Sequence, residues 1–327
     1  MSETKPFFFG KLPDHNDFVR YNASGPHYRT LDQWLQESLY QAARQLPSDW
    51  AELYRGAPPF QFCFQDDAAD TAECLLVGML WPSHDKSGRN FPFVMALCDS
   101  REGIGRGMVP YVPIMYKEFL EESRILVSAG MNGMSLSELT SGAGRLSAPP
   151  PDEMGTSYQR FQDYLDATAA EKFWTRQFGD FENPGKFLLI KNLIDVFEPL
   201  TSGKSARGSL GVRFPLCGEN PFHQEDASFW ILLGSQLLRN LELMPNVLWG
   251  VPRGGEKTYL YFFTHRPPVK TIVPLLRPSV ESDVVYRLDE DNRDNMMQSI
   301  GGLPPRYRYA LESRDLTLRG LLGELMR

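Results

Sequence analysis

The sequence predicts a chain of the α/β or α+β class, arranged as two domains that each pack a mixed sheet with helices. Three observations predict this. In both halves, stretches of helical apolar period alternate with short apolar runs too brief to be helices. A segment rich in Gly, Ser and Pro, Ser141 to Asp152, interrupts the chain near its middle, where the prolines withhold backbone donors and the glycines add freedom. A length of 327 residues also exceeds one average domain. The expected division is residues 1–140, a linker at 141–152, and 153–327 as a C-terminal α/β extension.

Each element has its own signal. Thr30 with Gln33 three positions later has the form of a capping box, and Leu31, Trp34, Leu35, Leu39 and Ala42 follow at helical spacing, so a helix is expected over 31–46 with Pro47 ending it. The runs 73–81 and 91–98 are apolar almost throughout and read as buried strands joined by the polar turn Pro82 to Asn90. A helix follows from Pro113 to Ala129, with Gly130 just past its end. In the second half, helices are expected at 154–178, 185–198, 226–239 and 317–326. Strands are expected at 210–216, 247–251 and 259–264. Gly88-Arg-Asn-Phe-Pro-Phe93 is echoed by Gly211-Val-Arg-Phe-Pro-Leu216, a match too short to establish a duplication.

Composition removes several classes of function. A net charge of −7 with no run of Lys and Arg argues against nucleic-acid binding. The four cysteines, Cys63, Cys74, Cys98 and Cys217, show no CxxC pair and no neighbouring histidine cluster, so free, mostly buried thiols in a reducing compartment are expected. The Phe7-Phe8-Phe9 patch is too short for a signal-peptide core, and no stretch reaches membrane-spanning length. The expectation is a cytoplasmic protein without direct membrane insertion. Oligomeric state has no signal in the sequence.

Enzyme-like fragments are present but incomplete. Gly203-Lys204-Ser205 resembles the end of a phosphate-binding loop, yet Glu198 stands where its first glycine belongs. Gly103, Gly105 and Gly107 fail the dinucleotide pattern because Met108 occupies the last glycine position. Asp14, His15 and Asp17, with His84 and Asp85 further on, offer acid/base groups, but no serine elbow or metal-ligand spacing accompanies them. No catalytic residue, cofactor or metal site is therefore assigned. These residues are read first as turn caps on a loop-built surface and second as the centre of a small hydrolase.

The stretch Gly10-Lys11-Leu12-Pro13-Asp14-His15-Asn16-Asp17-Phe18-Val19-Arg20 resembles the opening signature of the TagF/ImpM family, with Asn16 where the family usually has glycine. Asn tolerates a left-handed turn better than other non-glycine residues, so the change is expected to preserve the loop. Leu31-Asp32, Trp34-Leu35, Trp50, Tyr54 and Ala57-Pro58 follow in the family's order. Pro82-Ser83-His84-Asp85 and Gly88-Arg89-Asn90-Phe91-Pro92 then resemble its second motif. The resemblance covers the first half only. It implies a non-enzymatic, post-translational repressor of type VI secretion assembly, holding a component such as a forkhead-associated-domain protein in an inactive complex. A structural baseplate accessory is a further alternative. Lys11, Asp14, His15, Asp17, Arg20, His84, Asp85 and Arg89 are the expected partner-binding or structural residues. Arg89 is expected to pair with Asp17 or Asp85 and so pin the first loop against the second turn.

Overall fold

The computed structural model describes residues 5–46, 48–65, 74–100, 107–150, 152–201, 211–218, 220–239, 244–252, 257–290 and 293–327. Gly203-Lys204-Ser205, Gly103, Gly105 and Pro47 lie outside the described residues. The chain is mixed α/β. Strands β1 (Phe7–Gly10) and β2 (Val19–Tyr21) precede helices α1 (Pro26–Gln45) and α2 (Trp50–Gly56). Strands β3 (Phe60–Phe64), β4 (Cys74–Trp81) and β5 (Phe93–Ser100) follow. A 3-10 turn at Val109–Tyr111 then leads into α3 (Val112–Met115), α4 (Lys117–Met131) and α5 (Leu136–Ala143). The second half begins with α6 (Glu153–Ala167), α7 (Ala170–Phe178) and α8 (Gly185–Thr201), then β6 (Gly211–Leu216), α9 (His223–Leu237), β7 (Asn246–Gly250) and β8 (Thr258–Phe263). It closes with α10 (Ile272–Leu276), β9 (Val285–Arg287), α11 (Arg293–Gly302), α12 (Pro305–Glu312) and α13 (Leu318–Met326).

All these strands form one sheet of nine, ordered β2-β1-β5-β4-β3-β7-β8-β6-β9. The first half supplies five neighbouring strands, all antiparallel, and the second half four, of which only β6 and β9 run parallel. The halves join where β3 pairs antiparallel with β7, Phe60 opposite Gly250 and Cys63 opposite Val247. Strand side chains alternate between two apolar layers, which is why the strands read as apolar throughout. Leu75, Val77 and Met79 of β4 face a large cluster shared with Phe119, Phe161, Trp174 and Trp230. Leu76 and Leu80 face a second cluster with Trp34, Leu35, Phe62 and Tyr261. Helix α1 covers that second face, and its Trp34 indole N–H donates to the Pro267 carbonyl in the other half of the chain at 2.8 Å.

Several elements depart from the sequence reading. Helix α1 starts at Pro26, so Thr30 is inside it; Pro26 has the φ and the missing N–H that suit a first turn. Gln33 donates to Glu37 at 2.8 Å. The expected helix over 154–178 breaks at Thr168 and Ala169, which are extended. Backbone groups there bond to the C-terminal segment, Ala170 N–H to Leu316 C=O at 2.7 Å and Leu318 N–H to Thr168 C=O at 2.9 Å. Ser141–Ala143, read as the start of the linker, are the last turn of α5, which begins with a complete capping box between Ser135 and Glu138. Gly88 lies in a turn whereas Gly211 opens β6, so the echoed motifs are not equivalent in the fold. The cysteine expectation is corrected: Cys74 and Cys98 form a disulfide across β4 and β5, leaving Cys63 and Cys217 free. No helix among the described residues is long and apolar enough to cross a membrane.

Candidate functional site

The connection from β4 to β5 is a tight, self-bonded turn. Phe91 N–H donates to Ser83 C=O at 3.0 Å, Asp85 N–H to Arg89 C=O at 3.1 Å, and Gly88 N–H to Asp85 C=O at 2.8 Å. Gly88 closes it at φ +83°, a conformation that costs any side chain about 1–2 kcal/mol.

Asp85 is the centre of this turn and is fully buried. Its Oδ1 accepts from Ser87 N–H at 3.0 Å, Ser87 O–H at 2.7 Å and Arg89 N–H at 2.9 Å. Its Oδ2 accepts from Arg89 Nε at 2.7 Å and pairs with Lys11 Nζ at 3.0 Å. Burial pushes the carboxyl upward, but the bonds from Ser87, Arg89 and Lys11 outweigh it and hold the group well below the usual carboxylate range. Asp85 is thus the carboxylate that Arg89 takes.

The same groups reach across to the first signature. Lys11 Nζ also donates to Arg89 C=O at 3.2 Å, and Arg89 Nη2 donates to Asn16 C=O at 3.0 Å. Lys86 N–H donates to His15 C=O at 2.9 Å, and the Ser83 hydroxyl to Lys11 C=O at 2.7 Å. Gly10 sits at φ +132° so close to Pro92 that a Cβ there would meet its carbonyl oxygen at 2.1 Å. The two motifs, more than sixty residues apart in sequence, are therefore one bonded unit. Asn16 does not adopt positive φ; among non-glycine described residues that is found at Asn22 and Arg239, so the glycine departure needs no left-handed turn.

The remaining expected residues form the outside of this unit. Asp14, Asp17 and Arg20 are exposed, and His15 and His84 are half-buried. The His84 Nδ1 lies 2.9 Å from the Asp85 carbonyl oxygen. Phe18, 39% exposed, stacks on Phe9 and meets Phe91 edge-on, adding an apolar patch beside these charges. Sequence reasoning underrated Ser83 and Tyr54: buried Ser83 donates its N–H to the Tyr54 hydroxyl at 3.2 Å and so ties α2 to the turn. Their signal was their place in the family motifs. The acid/base chemistry open to the cluster is restricted, because every lone-pair direction of Asp85 is engaged by a donor. A cleft of about 800 Å³ opens elsewhere, lined by Gln61, Lys117, Glu121, Arg124, His223 and Gln224, and none of the expected residues lines it.

The fold is similar to the crystal structure of PA0076 from Pseudomonas aeruginosa PAO1, with a TM-score of 0.50 and 14% identity, over 86% of this chain and 98% of that one. No curated protein matches the chain significantly. A family model described as the TagF N-terminal domain, type VI secretion system-associated, matches residues 7–140, the stretch that contains both bonded motifs. Residues 7–140 therefore match the TagF N-terminal domain, a domain family associated with the type VI secretion system.

Proposed function

We propose that the chain is a cytoplasmic, non-enzymatic, post-translational repressor of type VI secretion assembly, which sequesters an assembly component such as a forkhead-associated-domain protein. The docking surface is the outside of the unit formed by the Asp14 to Arg20 loop and the His84 to Arg89 turn. One observation carries this reading: Asp85 and Lys11 lock two loops together from beneath, and Arg89, itself exposed, bonds across both, while Asp14, Asp17, Phe18, Arg20 and Lys86 also stay exposed. A surface fixed before binding loses little entropy on docking. Repression then follows from differential affinity for one state of the partner, with no bond chemistry required. The hydrolase alternative is disfavoured because its best-placed carboxylate is already saturated by donors.

The test is a pull-down from the native host with wild type and the folded double variant Asp17→Ala, Arg89→Ala, matched first by thermal melting. Recovery of a secretion component by wild type, with loss from the variant, is the expected result. Equal recovery by both keeps the regulator and moves its surface elsewhere. If neither bait recovers a secretion component, the sequestration reading fails. Stoichiometric retention in assembled machines would instead favour a baseplate part.

A further inference from the structure

The side chains of His27, Cys74 and Cys98 bring one imidazole nitrogen and two sulfurs within 4.8 Å of one another. They come from three elements: His27 from the first turn of α1, Cys74 from the start of β4 and Cys98 from β5. The strand register explains the sulfur pair. Leu76 stands opposite Cys98 and Cys74 opposite Ser100, so the cysteines are diagonal neighbours on one face of the sheet. That face is the one α1 covers, and Cys74 is 4% exposed while His27 and Cys98 are half-buried.

We propose that His27, Cys74 and Cys98 form a redox-gated site for a soft divalent cation of the zinc type. Two thiolates and an imidazole are the donor set such ions select over harder cations. Zinc–sulfur bonds of about 2.3 Å and zinc–nitrogen bonds of about 2.0 Å place tetrahedral ligands roughly 3.5–3.8 Å apart, a separation the two sulfurs reach only once the bond between them is open. Water completes the fourth position. The gate is the disulfide: closed, it ties up both sulfurs, so that neither can serve as a thiolate ligand. An external dithiol opens it by supplying two electrons and two protons, becoming a cyclic disulfide itself and leaving Cys74 and Cys98 as thiols. The entering cation displaces the two thiol protons to solvent, since the ligands are thiolates. The disulfide joins β4 to β5 alone, whereas the metal also joins both strands to the start of α1.

The experiment is an anaerobic titration of the full chain with Co2+, whose thiolate charge-transfer band and tetrahedral d–d bands report the ligands. Wild type reduced with dithiothreitol and then freed of it is expected to bind about one Co2+ with both bands and to release it to excess Zn2+. The same protein oxidised with diamide is expected to show neither band. His27→Ala, checked by its melt, is expected to keep a charge-transfer band with at least tenfold weaker binding. Cys74→Ser and Cys98→Ser each remove one thiolate and should lower the band's intensity. Absence of the band in reduced wild type overturns the metal site, as does unchanged affinity in His27→Ala. A band that survives oxidation overturns the gating. Wild type and His27→Ala carry the decision should either serine variant fail to fold.

Discussion

Asp85 shows how one buried charge can organise a surface without belonging to it. Its five donors come from Ser87, Arg89 and Lys11, and the cations among them carry the bonds that reach the first loop. Because its folded-state pKa is held well below the ordinary carboxylate range, its stabilisation is complete above about pH 5. That stabilisation is lost progressively as pH falls below the unfolded-chain value of about 3.9 toward the depressed folded one. Asp85→Asn should therefore melt lower than wild type at neutral pH, with the gap narrowing below about pH 4. A gap of constant size through that range, in melts taken from pH 7 to 3, would contradict the assignment. The two motif glycines make a second contrast. At Gly88 an added Cβ meets only Arg55 at 3.9 Å, so Gly88→Ala should cost about 1–2 kcal/mol, the left-handed backbone alone. At Gly10 the Cβ would run into the Pro92 backbone, so Gly10→Ala should cost more and separate the loop from the turn. Denaturant unfolding of the two variants ranks them.

Among the elements, β3 has the largest structural consequence for its length. Its five residues are all buried, and it pairs with β4 on one side and β7 on the other. Phe62, 2% exposed, fills the layer beneath α1. Phe62→Ala should lose about 3–5 kcal/mol of stability by chemical denaturation, a cost typical of a large aromatic removed from a packed core. A loss under about 1 kcal/mol would mean that the layer collapses around the gap. The sequence Phe-Gln-Phe-Cys-Phe gave little warning of this role. It is short, and the pattern that makes it central is its neighbour's register, which no local window contains. The break between α6 and α7 has the same origin, since the partner of that backbone lies near Leu316.

At the scale of the molecule, the family match ends at residue 140 while the sheet continues through β7. Residues 1–140 made alone would expose the β3 edge that β7 pairs with and lose the Trp34 bond to Pro267. An unpaired apolar edge is a template for association. The isolated segment should therefore elute in size-exclusion chromatography as aggregates or dimers, and co-expression with 141–327 should restore a compact species. A monomeric, cooperatively melting 1–140 would show that the seam is dispensable.

The sequence by itself determined the α/β class, the positions of β4 and β5, and most of the long helices, because apolar period and chain-breaking residues act over a few neighbouring positions. Through its motifs it also marked Lys11, Asp85 and Arg89, and it left Asp17 and Asp85 as alternatives for the arginine. Only the tertiary structure decided between them, placing Asp85 beneath the turn and Asp17 outside. It likewise decided that two halves share one sheet, and that cysteines 24 residues apart meet beside a histidine from a preceding helix. Those outcomes depend on strand register and on which face each strand turns inward, and both are fixed by contacts between segments far apart in the chain.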